Sequence, residues 1–203
     1  TILMKQLCII ARYQMIVLGY VFVIFAAFGE LFIQLFVGAE FAQAYWVALI
    51  SMAPLMFVLA QTSTNAVLQA LNKHKIRSLL LLVTALANIV ISIILVKKMG
   101  MIGASWGTAI ALFVGELIMV NIYLYRVIRL NMWHLYRELL RYSLPAILTT
   151  LALAMLVSDY ISATWLGLFI ACGLTGVIYA ICSYFVSLVA SERKKINRLV
   201  FKS

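Results

Sequence analysis

Long apolar stretches alternate with short polar gaps along the whole chain. A helix rises 1.5 Å per residue, so about 20 apolar residues cross the hydrocarbon core of a bilayer. Stretches of about this length or longer predict transmembrane helices at residues 13–37, 46–71, 78–96, 103–125, 139–157 and 163–189. The predicted fold class is therefore all-α: a polytopic membrane helix bundle with six transmembrane helices.

The basic residues are concentrated at alternate gaps. Of the 16 Lys and Arg residues, all but Lys97 and Lys98 lie before the first stretch, around the second and fourth gaps, or after the sixth stretch. Basic residues accumulate on the cytoplasmic side of membrane proteins, so both ends are predicted to be cytoplasmic. We divide the chain into a transmembrane region, 1–192, and a basic cytoplasmic tail, 193–203.

Composition agrees with this interpretation and limits the partners. Hydrophobic residues make up 66% of the chain and charged residues 11%, whereas a soluble domain carries about 25% charged residues. The net charge of +10 is explained by membrane orientation and by contact with anionic membrane lipids. No nucleic-acid partner is therefore expected.

The sequence contains no catalytic or metal-binding motif. His74 and His134 both fall on the predicted cytoplasmic side. Cys8, Cys172 and Cys182 share no metal-type spacing, and small buried side chains are the usual role of such cysteines. We expect a protein that is not an enzyme and that has no metal or cofactor.

Two carboxylates lie inside the apolar stretches, where inserting a charged side chain into the bilayer is energetically unfavourable. Glu116 lies near the middle of 103–125, and Glu30 lies roughly 10 Å below the outer end of 13–37 at 1.5 Å per residue. A charged side chain at the bilayer centre costs about 2.5–3.5 kcal/mol on insertion scales. Either carboxylate could face a polar cavity and bind a proton, a cation or sugar hydroxyls. The alternative for Glu116 is a hydrogen bond between helices that only fixes their packing.

Neutral polar side chains follow on the second and third stretches. Gln61, Asn65 and Asn88 could line the same cavity or bond to one another across a helix interface. Together with the two carboxylates they complete the predicted substrate-cavity set: Glu116, Glu30, Gln61, Asn65 and Asn88.

Cations are missing from the predicted middle of the membrane. A carrier of a pyrophosphate-linked lipid should neutralise the phosphates with cations. Arg12, Arg77 and Arg126 are predicted near the inner boundary, so a central cation is expected from outside this segment. Residues 126–141 mix apolar and basic side chains and predict a short amphipathic helix on the inner membrane surface.

Several phrases of the sequence resemble a known family. They are Gly38-Ala39-Glu40-Phe41 after the first stretch, Gln69-Ala70 near the end of the second, and Gly100-Met101-Ile102-Gly103-Ala104 at the start of the fourth. They resemble the C-terminal part of bacterial polysaccharide-biosynthesis flippases, in the multidrug/oligosaccharidyl-lipid/polysaccharide exporter superfamily. Ser105 stands where a small apolar residue is commoner in that pattern.

The resemblance implies a transporter of 12–14 helices in two lobes around a central cavity. These six helices would be the last six, so we expect the chain to be the C-terminal lobe of a longer protein and its N-terminal lobe to be a partner. The family moves lipid-linked oligosaccharides across the bacterial plasma membrane by alternating access. It shares no universal catalytic motif, so it transfers no site residues to this chain.

We therefore predict a flippase for O-antigen or other exopolysaccharide repeat units, in which H⁺ or Na⁺ could couple through Glu116. The alternatives are a multidrug or cation antiporter and a peptidoglycan-precursor flippase of the same superfamily. A membrane-embedded glycan polymerase or acyltransferase is less favoured, because the predicted outer loops are short.

Overall fold

The computed structural model describes residues 2–158 and 160–187, and the predicted tail 193–203 lies outside them. Within the described residues the chain is helical, with no strand. Six helices are long and apolar enough to cross a membrane: Ile2–Phe36, Gln43–Ala60, Lys75–Met99, Met101–Ile128, Met132–Ser158 and Trp165–Ser187. The prediction of an all-α bundle with six such helices is confirmed, and helices of this length and composition indicate a membrane protein.

The described residues form eight α-helices, two π-helical segments and one short 3₁₀ turn. In chain order these are α1 (Ile2–Phe36), a 3₁₀ turn (Ala39–Phe41), α2 (Gln43–Ala60), α3 (Ser63–Ala70), α4 (His74–Met99), α5 (Met101–Leu112), a first π segment (Phe113–Met119), α6 (Val120–Ile128), α7 (Met132–Ser158), α8 (Trp165–Cys182) and a second π segment (Ser183–Ser187).

Helix α1 lies at the centre of the described bundle. It packs against α2 on one side and against α7 and α8 on the other, while α5 packs against α2 and α4 against α5. Helix α4 is peripheral: among its described side chains only Thr84 is buried.

Small residues let α4 and α5 approach closely, as the four-residue spacing of glycines in the sequence predicts. A Cβ atom added at Gly103 would collide with the backbone carbonyl of Leu95, and one added at Gly107 would collide with Ser92. The contact continues into the first π segment, where a Cβ at Gly115 would collide with Thr84.

The second predicted span, 46–71, is not a single helix. Helix α2 continues through Pro54 and ends at Ala60, and α3 begins at Ser63. Two hydroxyls stabilise the break: Thr62 Oγ1 donates to Leu59 O at 2.8 Å, and Thr64 Oγ1 donates to Gln61 O at 2.8 Å. Such local side-chain bonds compete with the helical ladder.

The predicted surface helix at 126–141 is also wrong as a separate element. Helix α6 ends at Ile128, the following residue Arg129 has a φ of +56°, and α7 runs without interruption from Met132 through Pro145 to Ser158. Its first turns are amphipathic, but their apolar face lies in the core, because Leu135 and Leu139 are each 1% exposed. Because that face is buried, this segment forms the first turns of α7 and not a separate helix on the membrane surface.

Candidate functional site

Glu116 forms a buried ion pair between two helices. It lies in the first π segment and is 2% exposed. Arg77 Nη2, from the first turn of α4, lies 3.2 Å from Glu116 Oε2. The sequence predicted no cation at the depth of Glu116, so this partner is a finding of the structure.

The beginning of α4 is held against α6, which explains how Arg77 reaches this depth. Tyr123 Oη donates to Lys73 O at 2.8 Å, and Lys73 Nζ donates to Val127 O at 3.4 Å. These bonds place the first turn of α4 beside the last turns of α6. The long Arg77 side chain can then extend along apolar surface with its charged head inside the bundle.

Gln61 connects the ion pair to a wider hydrogen-bond network. Its Nε2 donates to the backbone carbonyl of Glu116 at 3.2 Å. Its Oε1 accepts a short hydrogen bond from the hydroxyl of Tyr136, on α7. Asn121 Nδ2, on α6, donates both to Tyr136 Oη at 2.9 Å and to Leu117 O at 2.6 Å.

Two residues of this network lie where the helices depart from α geometry. Gln61 lies at the break between α2 and α3, and Glu116 lies in a π segment. π-Bulges are frequent at functional sites. Here the hydrogen bond from Gln61 Nε2 to the Glu116 carbonyl joins the two irregular segments.

The site contains donors and acceptors that are not used. Within the described residues, Arg77 Nε, Glu116 Oε1 and Asn121 Oδ1 are buried without a hydrogen-bond partner. Leaving a buried polar atom unpaired costs about 1–3 kcal/mol. The site is therefore able to bind water, a proton or a polar ligand group through atoms that the protein itself does not satisfy.

The other predicted site residues lie elsewhere. Asn88 Oδ1 accepts from Ser92 Oγ at 2.9 Å and from Thr108 Oγ1 at 3.4 Å, so it joins α4 to α5. Glu30 is exposed on α1, where it accepts from Gln34 Nε2 of the same helix at 3.4 Å.

Asn65 lies on α3 and is partly buried, and its Oδ1 has no partner among the described residues. Of the five predicted residues, all within the described part of the chain, only Glu116 and Gln61 are joined to each other by a hydrogen bond.

Three members of the network were missed from the sequence. Arg77 was placed at the inner boundary from its position alone. Asn121 gave a usable signal, because an amide in an apolar stretch five residues after Glu116 is itself unusual. Tyr136 was assigned to the surface helix, which does not form.

A second ion pair lies between α1 and α7. Arg12 Nη2 is 3.3 Å from Glu138 Oε2, and the guanidinium carbon lies 4.5 Å from the centre of the Tyr142 ring. His134 Nε2 lies 3.9 Å from Glu138 Oε1. The contacts of Arg12 join α1 to the early part of α7, whereas the contact between His134 and Glu138 lies within α7.

An open groove lies beside the polar network. Its volume is about 760 Å³, and it runs between α2, the span 113–125 and the beginning of α7. Apolar side chains cover most of its wall, and Asn121 and Tyr136 bring the polar network to its surface. The lining residues are Phe57, Phe113, Leu117, Ile118, Asn121, Ile122, Tyr125, Asn131, Met132, Trp133, Tyr136 and Leu140.

Within the described residues, no group of three or more His, Cys, Asp or Glu side chains is arranged to hold a metal ion. No protein-family model, curated protein or solved structure matches this chain. What the protein does is therefore inferred from its own residues and their geometry.

Proposed function

We propose that this protein is a flippase of the bacterial plasma membrane that moves lipid-linked oligosaccharide repeat units for surface polysaccharide synthesis. In this proposal the six spans are the C-terminal lobe of a 12–14-helix transporter, and an N-terminal lobe supplies the opposite wall of the cavity. The sugar headgroup crosses through a polar cavity by alternating access while the lipid tail stays in the bilayer. The family resemblance in the sequence supports the cargo class.

The observation that carries the proposal is the buried pair of Arg77 and Glu116. A lipid-linked oligosaccharide bears phosphate, which needs a cation within the membrane. Arg77 supplies a guanidinium inside the bundle, and its Nε is unpaired within the described residues. A guanidinium presents its donors in a planar fork that matches phosphate oxygens.

In the proposed cycle the cargo phosphate and the Glu116 carboxylate compete for Arg77. While cargo is bound, Arg77 turns towards the phosphate, and Gln61 and Tyr136 offer an amide and a hydroxyl to the sugar. When cargo leaves, the ion pair forms again. The break between α2 and α3 provides a place for the accompanying change in helix direction.

H⁺ and Na⁺ are both candidate coupling ions at Glu116. Either cation at the carboxylate would weaken its attraction to Arg77 and release the guanidinium for phosphate. Either one is also opposed by the positive charge of Arg77, whose Nη2 lies 3.2 Å from Oε2.

A multidrug or cation antiporter is the second candidate, and Glu30 is the observation in its favour. Glu30 is an exposed carboxylate on an apolar helix, and its only recorded partner in the described part of the chain is the neutral side chain of Gln34. An antiporter of this kind would depend on Glu30 more than on Arg77. A peptidoglycan-precursor flippase would use the same chemistry as the main proposal, but should be essential for growth.

A translocation assay tests the proposal. The full-length protein is reconstituted in vesicles with a fluorescent polyprenyl-pyrophosphate oligosaccharide, and a membrane-impermeant quencher reports the fraction in the outer leaflet. We expect transfer well above that of protein-free vesicles, at least tenfold slower transfer in Arg77→Gln, and near-normal transfer in Lys75→Gln. Lys75 is the matched control because it is exposed on the same turn of α4.

Wild-type transfer at the protein-free rate would contradict the proposal. If the same vesicles instead exchange an organic cation for H⁺ in a manner abolished by Glu30→Gln, the antiporter is the better assignment.

A further inference from the structure

The groove beside the polar network has the size and lining of a ligand site. Its volume of about 760 Å³ lies within the range of about 300–1,000 Å³ for small-molecule sites. Its wall includes large apolar side chains that the bundle leaves uncovered, among them Phe113 at 54% exposure and Ile122 at 50%. An apolar chain lying there would cover them.

Cations flank one end of this groove. Residues one helical turn apart lie on the same face, so Arg126 follows the lining residue Ile122 and Arg137 follows the lining residue Trp133. Arg129 lies in the connection between α6 and α7. All three arginines are exposed, and none forms an ion pair within the described part of the chain.

Acidic side chains do not balance this charge. The whole segment 117–158 contains one acidic residue, Glu138, and its carboxylate faces Arg12 and His134. The end of the groove is therefore strongly cationic, whereas its wall is apolar. This combination matches a molecule with an anionic head and a long apolar chain.

The aromatic residues at the same end indicate where the head lies. Trp133 is 78% exposed and Tyr125 is 63% exposed, and both line the groove. Trp and Tyr concentrate at the level of lipid headgroups, where one side of the ring is apolar and the other is wet. The cationic end of the groove is thus placed at the membrane surface, with the apolar part directed into the bilayer.

We propose that this groove binds one anionic phospholipid, whose phosphate lies among Arg126, Arg129 and Arg137 and whose acyl chain lies against Phe113 and Leu117. The proposal goes beyond the transport function and stands whether or not the protein moves a lipid-linked oligosaccharide. Because Asn121 and Tyr136 line the groove and belong to the polar network, the bound lipid would touch the network from outside.

Fluorescence quenching by brominated lipids tests this site directly. Variants of the full-length protein that keep a single tryptophan are reconstituted in nanodiscs with brominated phosphatidylglycerol or brominated phosphatidylcholine. With Trp133 alone, we expect half-maximal quenching at about tenfold lower mole fraction of the anionic lipid. With Trp106 alone, which is 46% exposed on α5, the two lipids should quench equally.

Charge removal identifies the head site. Arg126→Gln, Arg129→Asn and Arg137→Gln together should reduce the preference at Trp133 to less than twofold, and Lys97→Gln with Lys98→Gln should leave it unchanged. Asparagine is chosen at position 129 because it tolerates the left-handed backbone there. If the triple variant does not fold, the wild-type preference should still fall as salt screens the phosphate.

Equal quenching of Trp133 by the two lipids would overturn the proposal. So would a preference that survives both the triple substitution and high salt. Weak quenching by both lipids in a sample that sediments as a dimer would assign the groove to a second copy of the chain, and would equally contradict the lipid site.

Discussion

The two ion pairs between helices are built differently, although each joins one arginine to one glutamate. The side chains of Arg77 and Glu116 are 13% and 3% exposed, whereas Arg12 and Glu138 are 6% and 31% exposed. The first pair therefore lies almost wholly inside the bundle. The second leaves its carboxylate in contact with the surroundings.

The two ion pairs also differ in the additional contacts that their side chains make. Arg12 also lies on the face of Tyr142, and Glu138 also lies near His134. Glu116 Oε1 has no partner among the described residues. The comparison indicates that the α1–α7 pair is a structural tie with several supports, while Glu116 keeps an oxygen available and can exchange partners.

The largest effect on stability should come from breaking the deeper pair. Glu116→Gln leaves the guanidinium of Arg77 buried without a countercharge, and loss of one partner of a buried pair costs about 3–5 kcal/mol. The free energy of unfolding of the full-length protein in mild detergent measures this loss. A change below about 1 kcal/mol would mean that water reaches Arg77 and hydrates the ion pair.

Tyr136→Phe should have the next largest effect. It removes the hydroxyl that bonds to both Gln61 and Asn121, and an unpaired buried acceptor costs about 1–3 kcal/mol. Tyr125→Phe is the matched control, since Tyr125 is 63% exposed. Equal stability of the two variants would show that the network does not depend on Tyr136.

Breaking the second pair should cost less. Glu138→Gln removes a partly exposed carboxylate but leaves the buried guanidinium of Arg12 without that countercharge. The loss should therefore exceed the about 0–1 kcal/mol of an exposed pair and stay below the about 3–5 kcal/mol of a fully buried one. Arg12 keeps its position on the Tyr142 ring, a contact worth about 0.5–2 kcal/mol. The difference between Glu116→Gln and Glu138→Gln is a direct measure of the contrast, and a larger loss for Glu138→Gln would reverse it.

Glu30→Gln should have the smallest effect. The carboxylate is exposed and, within residues 2–158 and 160–187, is joined only to Gln34 on its own helix. Surface changes away from special features stay within about 0.5 kcal/mol. The same unfolding measurement checks this. A loss as large as that of Glu116→Gln would indicate a buried partner for Glu30.

The fold was largely predictable from the sequence because spanning helices leave a strong apolar signal. The departures occur where a side chain overrides that signal. The α2–α3 break coincides with the polar run 61–65, where the hydroxyls of Thr62 and Thr64 bond to backbone carbonyls. The sequence predicted one span because apolar residues resume after this run. Whether the first turns of α7 lie on the membrane surface or continue the span depends on which helices cover Leu135 and Leu139. The sequence alone does not reveal those neighbours.

The candidate site was predictable only in part. Glu116 and Gln61 were predicted because polar side chains in an apolar stretch are energetically unfavourable and therefore stand out in the sequence. Arg77 was missed because its backbone lies at the beginning of α4, whereas its long side chain carries the guanidinium into the bundle beside Glu116. Asn88 shows the opposite error: it was conspicuous in the same way, but it bonds to Ser92 and Thr108 and fixes helix packing.

The Arg77–Glu116 pair is proposed to serve transport rather than stability, and the double variant Arg77→Met with Glu116→Met tests this most directly. Replacing both members of a buried pair by apolar side chains is often neutral or stabilising, so the unfolding free energy should return to within about 1 kcal/mol of the wild type. Translocation of the fluorescent lipid-linked oligosaccharide by this stable variant should be at least tenfold slower than that of the wild type. Translocation at the wild-type rate would contradict the claim and leave the pair a structural feature.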